Sequence, residues 1–589
     1  MRSTFSGLNI GASALAAQQR ALDVTGHNIA NANTQGYSRQ SVSMVTTRPI
    51  RTYSGFVGTG VQINNITRIR DQFVDAQIRN EINLTGEWET KYDILSKLEL
   101  IINEPSDNSL RSVLDEYWAA WQQLSKNPES SAVRAAVMQS GITLSDTLNH
   151  MSRQFTDLQD DLNNEITVKV TEINSYGRQI RDLNVQIVKA ETEGFPANDL
   201  RDRRDYLVDQ LARIADIGVN EDSVGALQIT IGGRALVARE ELTEMKCIQN
   251  QFDPSRTAIV WLDRSTGNPL GEVSIKGGEL KGYLDMLKTT VPQLKEEIDE
   301  LTRRIATEVN ELHRQGYGAD KSTGLDFFTR LDDNVPFSAA NIRVNQDIID
   351  DITKIAAAIT DDPDALAGDG ANALLLAQLK SKKAINPGVF SPPLSVTGTT
   401  LPATVEISAA SGNNRLYVTI DGTTRTLTLA DGIYDTTDTT QMDALAADIQ
   451  AQLDAEFGPL AAAASFSGGR LQISSLGGES HSGIYEISGS AASVLGLKTG
   501  YNTTFDDFFR SSVAQLGVIT MEAERMTDNQ NLLLNQLQNK RETISGVSLD
   551  EEMTNMIRYQ HAYTAAARLI TTMDEMLDLI VNRLGLVGR

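Results

Sequence analysis

Apolar residues recur every seven positions at both ends of this chain. Near the start they are Leu8, Leu15, Leu22 and Ile29, with Ala12, Ala16, Ala17 and Ala21 between them. A seven-residue period packs helix on helix, and small residues let the partner come close. Residues 4–33 are thus predicted as a helix of about 45 Å. Gly7, Gly11 and Gly26 each weaken it by about 1 kcal/mol relative to Ala, so it needs a partner. Near the end, Leu549, Met556, Tyr563, Ile570, Leu577 and Leu584 keep the same period. Ser548 and Glu551 form a capping-box pattern ahead of that stripe. Neither Gly nor Pro interrupts residues 547–584, a helix of about 57 Å. The two ends are expected to pack on each other.

Between them run further ladders in steps of three and four. One comprises Leu144, Leu148, Met151, Phe155, Leu158 and Leu162, resumed by Ile173, Tyr176, Ile180, Leu183 and Ile187. Others are Leu294, Ile298, Leu301, Ile305, Val309 and Leu312, and Leu516, Ile519, Ala523, Met526, Leu533 and Leu537. These are the seams of a helical bundle. Two stretches break the period. Residues 218–280 hold strand-like runs, "LQITI" and "TAIVWL". Residues 385–500 open on prolines and continue with "VEIS", "LYVTI", "RTLTL", "LQIS" and "IYEIS", plus one amphipathic helix near Met442 to Phe457. The expected fold is mainly α with β-rich inserted modules. Residues 1–70 with 545–589 form a terminal coiled-coil layer. Residues 71–217, 281–384 and 501–544 form a helical-bundle trunk, 218–280 a small β-rich part, and 385–500 an inserted α+β module.

Composition narrows the chemistry. The length of 589 residues calls for several domains. A net charge of −24 argues against a nucleic-acid binder, and no stretch has the apolar length of a membrane span. Cys247 is the only cysteine, which excludes an intrachain disulfide and a cysteine metal cluster. The N-terminal apolar run is broken by Ser6, Gly7, Asn9 and Gly11 and is not read as a signal peptide. His27, His150, His313, His481 and His561 show no metal spacing and are read as surface or interface residues. Asp361, Asp362, Asp364 and Asp369 sit in a loop whose spacing departs from a calcium loop, and they are read as a solvated acidic loop. Residues 197–211 alternate Arg201, Arg203 and Arg204 with Asp199, Asp202 and Asp205, which reads as a salt-bridged helix face. Ser480 beside His481 lacks nucleophile-elbow spacing. No catalytic residue, cofactor or metal is expected, and the informative features are interfaces.

"SGLNIGASALAAQQRALDVTGHNIANANTQGYSRQ", Ser6 to Gln40, resembles the N-terminal signature of the flagellar rod, hook and hook-associated axial proteins. The Ser-Gly-Leu start, Asn28 to Asn31 and Asn33 to Tyr37 carry the likeness. "SGFVGTGVQINNITRIRDQFVDAQIR", "NDLRDRRDYLVDQL" and "GVSLDEEMTNMIRYQHAYTAAARLITTMDEMLDLIVNRLG" are similar to the hook-associated branch. The insert, with "LYVTIDGTTRTLTL" and "GGRLQISS", is similar to a small module of flagellins and the filament cap. The resemblance implies a structural, non-enzymatic subunit that self-associates in a ring at the hook–filament junction. Its implied partners are the hook protein, a second hook-associated protein and an export chaperone that guards the C-terminal helix. It also implies secretion through the flagellar export apparatus. The implied assembly interface is Leu8, Leu15, Leu22, Asn28, Ile29, Asn31, Asn33, Gly36 and Tyr37 at one end. At the other it is Leu549, Met556, Tyr563, Ile570, Leu577 and Leu584, which are also the implied chaperone site. Asn28, Asn31 and Asn33 are expected to satisfy backbone groups or partner amides where the helix ends, with Gly36 supplying the turn. The terminal stripes are expected to order only on docking. Competing readings are another axial subunit (hook or distal rod protein), a surface adhesin carried by residues 385–500, and a cytosolic coiled-coil scaffold.

Overall fold

The computed structural model describes residues 6–579, apart from 53–54, 103–108, 195, 250–256, 332–334, 363–367, 386–394 and short stretches between 398 and 502. The protein is mainly α-helical. Helix α1 is Ser6–Ala30, followed by strands β1 (Gln40–Thr46), β2 (Ile50–Thr52), β3 (Gly55–Val57) and β4 (Val61–Arg68). Then come α2 (Gln72–Ile102), α3 (Leu110–Lys126), α4 (Ser131–Thr192) and α5 (Asn198–Ile214). Strands β5 (Ile217–Glu221), β6 (Leu227–Ile231), β7 (Arg234–Ala238) and β8 (Glu241–Leu242) form one sheet in sequence order. Strands β9 (Met245–Gln249), β10 (Thr257–Leu262) and β11 (Pro269–Glu272) form another with β10 central. Later helices are α6 (Val291–Gln315), α7 (Phe505–Ser545) and α8 (Leu549–Asp578). The ladders of residues 144–187 belong to a single helix of 62 residues, α4, whose apolar line from Leu144 to Ile187 is buried except at half-buried Tyr176. The runs "LQITI" and "TAIVWL" are β6 and β10.

The chain divides into two compact units. The first contains Met1–Leu95, Gln159–Lys288 and Thr520–Arg589. Here α1 and α8, the two ends of the chain, lie side by side. Strands β1 and β4 form an antiparallel arm, and β2 and β3 pair at its tip. The arm runs back along α1: the Gln18 amide meets the Met44 sulfur at 4.0 Å, and Gly60 lies against Ser13 and Ile10.

The second unit contains Ser96–Leu158 and Thr289–Ile519. Its core is aromatic. Tyr117 and Trp121 of α3 meet Phe327 at 6.1 and 5.3 Å between ring centroids, and Trp118 stacks on Phe505. His313 is buried in this cluster rather than at a surface or interface. Its Nδ1 is 2.7 Å from the Leu325 carbonyl, and its Nε2 accepts the Ala356 N–H at 3.0 Å. A neutral ring makes both bonds, which is why an isolated apolar-looking histidine is tolerated there. Burial pushes its pKa down to about 4. Asp369 is no solvated carboxylate either: it accepts the N–H groups of Ile359, Thr360 and Ala371, while Asp364 lies outside the described residues. Residues 404–497 build a separate core from Leu416, Val418, Leu427, Leu471 and Ile473 of the strands and Leu445 and Ile449 of the helix Thr439–Phe457.

Candidate assembly interface

The two terminal helices are antiparallel. Gly7 lies at Met573, Gly11 at Ile570 and Asn28 at Glu552. Small residues make this possible. A Cβ on Gly11 would stand 2.7 Å from the Ile570 side chain, well inside van der Waals contact. The line of α1 pressed closest to its neighbours is Gly11, Ala17, Ala21, Val24, Thr25 and Asn28, all buried. The seven-residue stripe of Leu8, Leu15, Leu22 and Ile29 runs beside that line and is only half-buried. On α8, Glu552 and Ala566 are buried, and Met556, Tyr563, Ile570 and Leu577 are half-buried. These residues are spaced by three, four or seven along one face, the geometry of a helix seam. Leu549 departs from it and is 50% exposed; Leu584 lies outside the described residues.

A polar lock closes the pair where α1 ends and α8 begins. Asn28, 1% exposed, uses its whole amide. Its Nδ2 donates to the Gln40 carbonyl at 2.9 Å and to Glu552 at 3.0 Å. Its Oδ1 accepts the Tyr37 hydroxyl at 2.7 Å and the Gln40 N–H at 3.0 Å. Asn31 donates to the His27 carbonyl, one of the last of the helix, and accepts from Thr34. Asn33 is exposed. Gly36 has φ +81, the left-handed region that glycine enters without strain. It turns the chain so that Tyr37 folds back over Asn28. Burial first, then Asp199, Asp202 and Glu552, raise the Tyr37 pKa well above its usual value, so the hydroxyl stays a donor.

Arg39 completes the lock. Its guanidinium pairs with Glu551 and Glu552, both at 2.8 Å, and its N–H donates to the Ser545 carbonyl at 2.9 Å. Burial opposes the charge, but Glu552 and Glu551 outweigh it and hold the Arg39 pKa above normal. Ser548 caps α8 by accepting the Glu551 backbone N–H at 3.5 Å. The lock continues into α5. Asp202 accepts the Ser38 N–H at 2.9 Å and pairs with Arg68 at 2.7 Å. Asp205 pairs with Arg68 at 2.8 Å and Arg70 at 2.9 Å. Asp209 bridges Arg79 of α2 and Arg541 of α7. The face of α5 is salt-bridged, but to partners on other elements rather than along the helix itself. Asp202, Arg204 and Asp209 are buried, and their partners come from the arm, α2, α7 and β5. Removing one member of such a buried pair costs about 3–5 kcal/mol because the other is left uncompensated.

Sequence reasoning placed Asn28, Gly36 and Tyr37 in this site but missed Arg39, Gln40, Arg68, Asp202 and Glu552. One signal was present: residues 39–70 contain five arginines and no acidic residue, in a chain of net charge −24. Three of the five, Arg39, Arg68 and Arg70, find acidic partners from elsewhere in the chain. Among the described residues no group of His, Cys, Asp and Glu could hold a metal ion, and no helix is long and apolar enough to cross a membrane.

Three segments of the chain match models of known protein families. Residues 95–328 match the model of the flagellar hook-associated protein FlgK helical domain. Residues 8–37 match the flagella basal body rod protein family, and 539–584 match the flagellar basal body rod FlgEFG protein C-terminal family. The chain is similar to flagellar hook-associated protein 1 of Bacillus subtilis (strain 168), 28% identical with all of both chains covered. It is also similar to that of Salmonella typhimurium, 26% identical over 98% of this chain and 99% of the relative. In fold it resembles the flagellar hook junction protein FlgK from Burkholderia pseudomallei, with a TM-score of 0.51 and 16% identity over 80% of this chain and 100% of that one.

Proposed function

From a chain homologous over its full length to flagellar hook-associated protein 1, we propose a structural subunit of the bacterial flagellum at the hook–filament junction. In this reading it has no catalytic role. It assembles by ordering its terminal helices against neighbouring copies and adjoining axial subunits. The observation that carries the reading is the incomplete burial of the α1–α8 pair. Its contact line on α1 is built from Gly11, Ala17, Ala21, Val24, Thr25 and Asn28, while the leucines, isoleucines and methionines described on both helices stay half-buried or exposed. A helix pair that hides its small residues and shows its large ones has more apolar surface left to bury, and neighbouring subunits supply the cover.

Self-association in a ring, contact with the hook protein and a second hook-associated protein, and protection of α8 by an export chaperone are parts of the same proposal. So is secretion through the flagellar export apparatus, since a pair that orders only on docking leaves both ends open during transit. Limited proteolysis of the purified monomer and of sheared flagella tests it. Cleavage is expected within the first 30 and last 40 residues of the monomer and is lost in the assembled form. Termini as resistant in the monomer as α4 would overturn coupled ordering. Ile570→Asp should leave the rest of the chain folded and abolish incorporation; normal incorporation would count against the interface.

A further inference from the structure

We infer that the tip of the β-arm docks on the exposed start of α8 in a second copy of this chain, giving a head-to-tail contact. The inference rests on the assembly reading above and names the surfaces involved. The tip exposes Ile50 (61%) and Phe56 (73%), flanked by Arg48 and Arg51. Among the described residues neither arginine has an ion pair, whereas Arg39, Arg68 and Arg70 at the base of the same arm are all paired. The tip is thus an apolar pair inside a basic rim, on a chain that is otherwise strongly acidic.

The complementary surface lies at the corner between α7 and α8. Met553 and Ile557 are 56% and 54% exposed, and with Asp550 they stand at i, i+3 and i+7 on one face. Asp550 and Glu542 are exposed and, among the described residues, carry no ion pair. The two surfaces match in kind: apolar centre against apolar centre, basic rim against acidic rim. Burial of the four apolar side chains supplies the affinity, and the charges supply register and encounter rate.

They cannot meet within one copy. The arm passes Ser13 and Ile10 before its tip, and that part of α1 faces Ile570. The tip and the Met553–Ile557 ridge are therefore separated by some 15–20 residues of α8, about 25 Å along the helix. A patch at one end that fits a different patch at the other is a heterologous contact. Repeated, it adds copies in one direction instead of closing a two-fold dimer.

The test is a disulfide placed across the contact in the full chain. Cys247→Ser removes the native thiol, and Phe56→Cys with Met553→Cys supplies one thiol per surface. Oxidised flagella should yield a ladder of cross-linked copies that either cysteine alone does not give. Arg51→Glu should cause loss of incorporation, and Arg51→Glu with Asp550→Arg should recover it. If the double-cysteine chain incorporates normally without cross-linking, or cross-links to a chain of another mass, the contact is wrong while the junction role stands. If even the unaltered chain is absent from flagella, the functional reading fails first. A purified Arg51→Glu monomer should melt like the unaltered chain, because Arg51 is exposed; a lowered melting temperature would make the residue structural and overturn its assignment to docking.

Discussion

Replacing Asn28 by Ala separates a preformed terminal pair from one that forms on assembly. The substitution removes four hydrogen bonds at a position 1% exposed. Three are neutral, worth about 1 kcal/mol each net, and one to Glu552 is charge-assisted, worth about 1.5–3 kcal/mol. Arg39 still neutralises Glu552, and water entering the vacated space recovers part of the loss. The remainder is about 3–5 kcal/mol, or about a hundred- to a few-thousandfold in the equilibrium between closed and open lock. Two measurements read it. Heating sheared flagella should release the Asn28→Ala chain at a lower temperature than the unaltered chain. Denaturant unfolding of the purified monomers should coincide, because the pair is not yet ordered there. A monomer destabilised by several kcal/mol would mean the pair is preformed, and coupled ordering would be refuted. Unchanged behaviour in both would remove Asn28 from the lock.

Gly11→Val should block assembly, since its Cβ would stand 2.7 Å from Ile570, and Ile570→Ala should partly restore it; restoration failing while the trunk stays folded would show that the helices do not meet there. His313 predicts a pH effect. Its folded pKa, about 4, lies below the unfolded 6.5, so the unfolded chain binds the proton first. The His313 contribution is therefore intact above pH 6.5 and is lost as pH falls toward 4, by about 3 kcal/mol in all. Glu297 and Asp299, raised to about 7 and about 6 by burial, act in the opposite direction. The effect is therefore read as the difference between the unaltered chain and His313→Gln across that window, and a pH-independent difference would contradict it.

Periodicity carried most of the helical architecture. The ladders of residues 144–187 and 294–312 lie on α4 and α6, and the short β runs of 404–488 are strands, because burial of a repeating apolar face dictates both. What periodicity could not carry was which line of α1 touches its neighbours. Leu8, Leu15, Leu22 and Ile29 dominate any hydrophobic count, yet closest approach of two backbones selects Gly11, Ala17 and Ala21, which a count of large residues ignores. The partners of the α5 charges were hidden for a related reason. Spacing along one helix shows neighbours three and four apart, but Asp202 and Asp205 are neutralised by arginines more than a hundred residues away. His313 lacked a sequence signal altogether, since both its partners are backbone groups.

The lock joining Arg39 to Glu551 and Glu552 also fixes an order of events. These residues are 512 and 513 positions apart, and both sides must exist before the lock can close. At a synthesis rate of about 5–20 residues per second, the N-terminal half of the lock waits roughly half a minute to two minutes for its counterpart. Contacts confined to earlier residues, such as the packing of Tyr117 and Trp121 on Phe327, can form in that interval. Closing the ends is thus a late step for each new molecule, open only to a chain synthesised past Glu552.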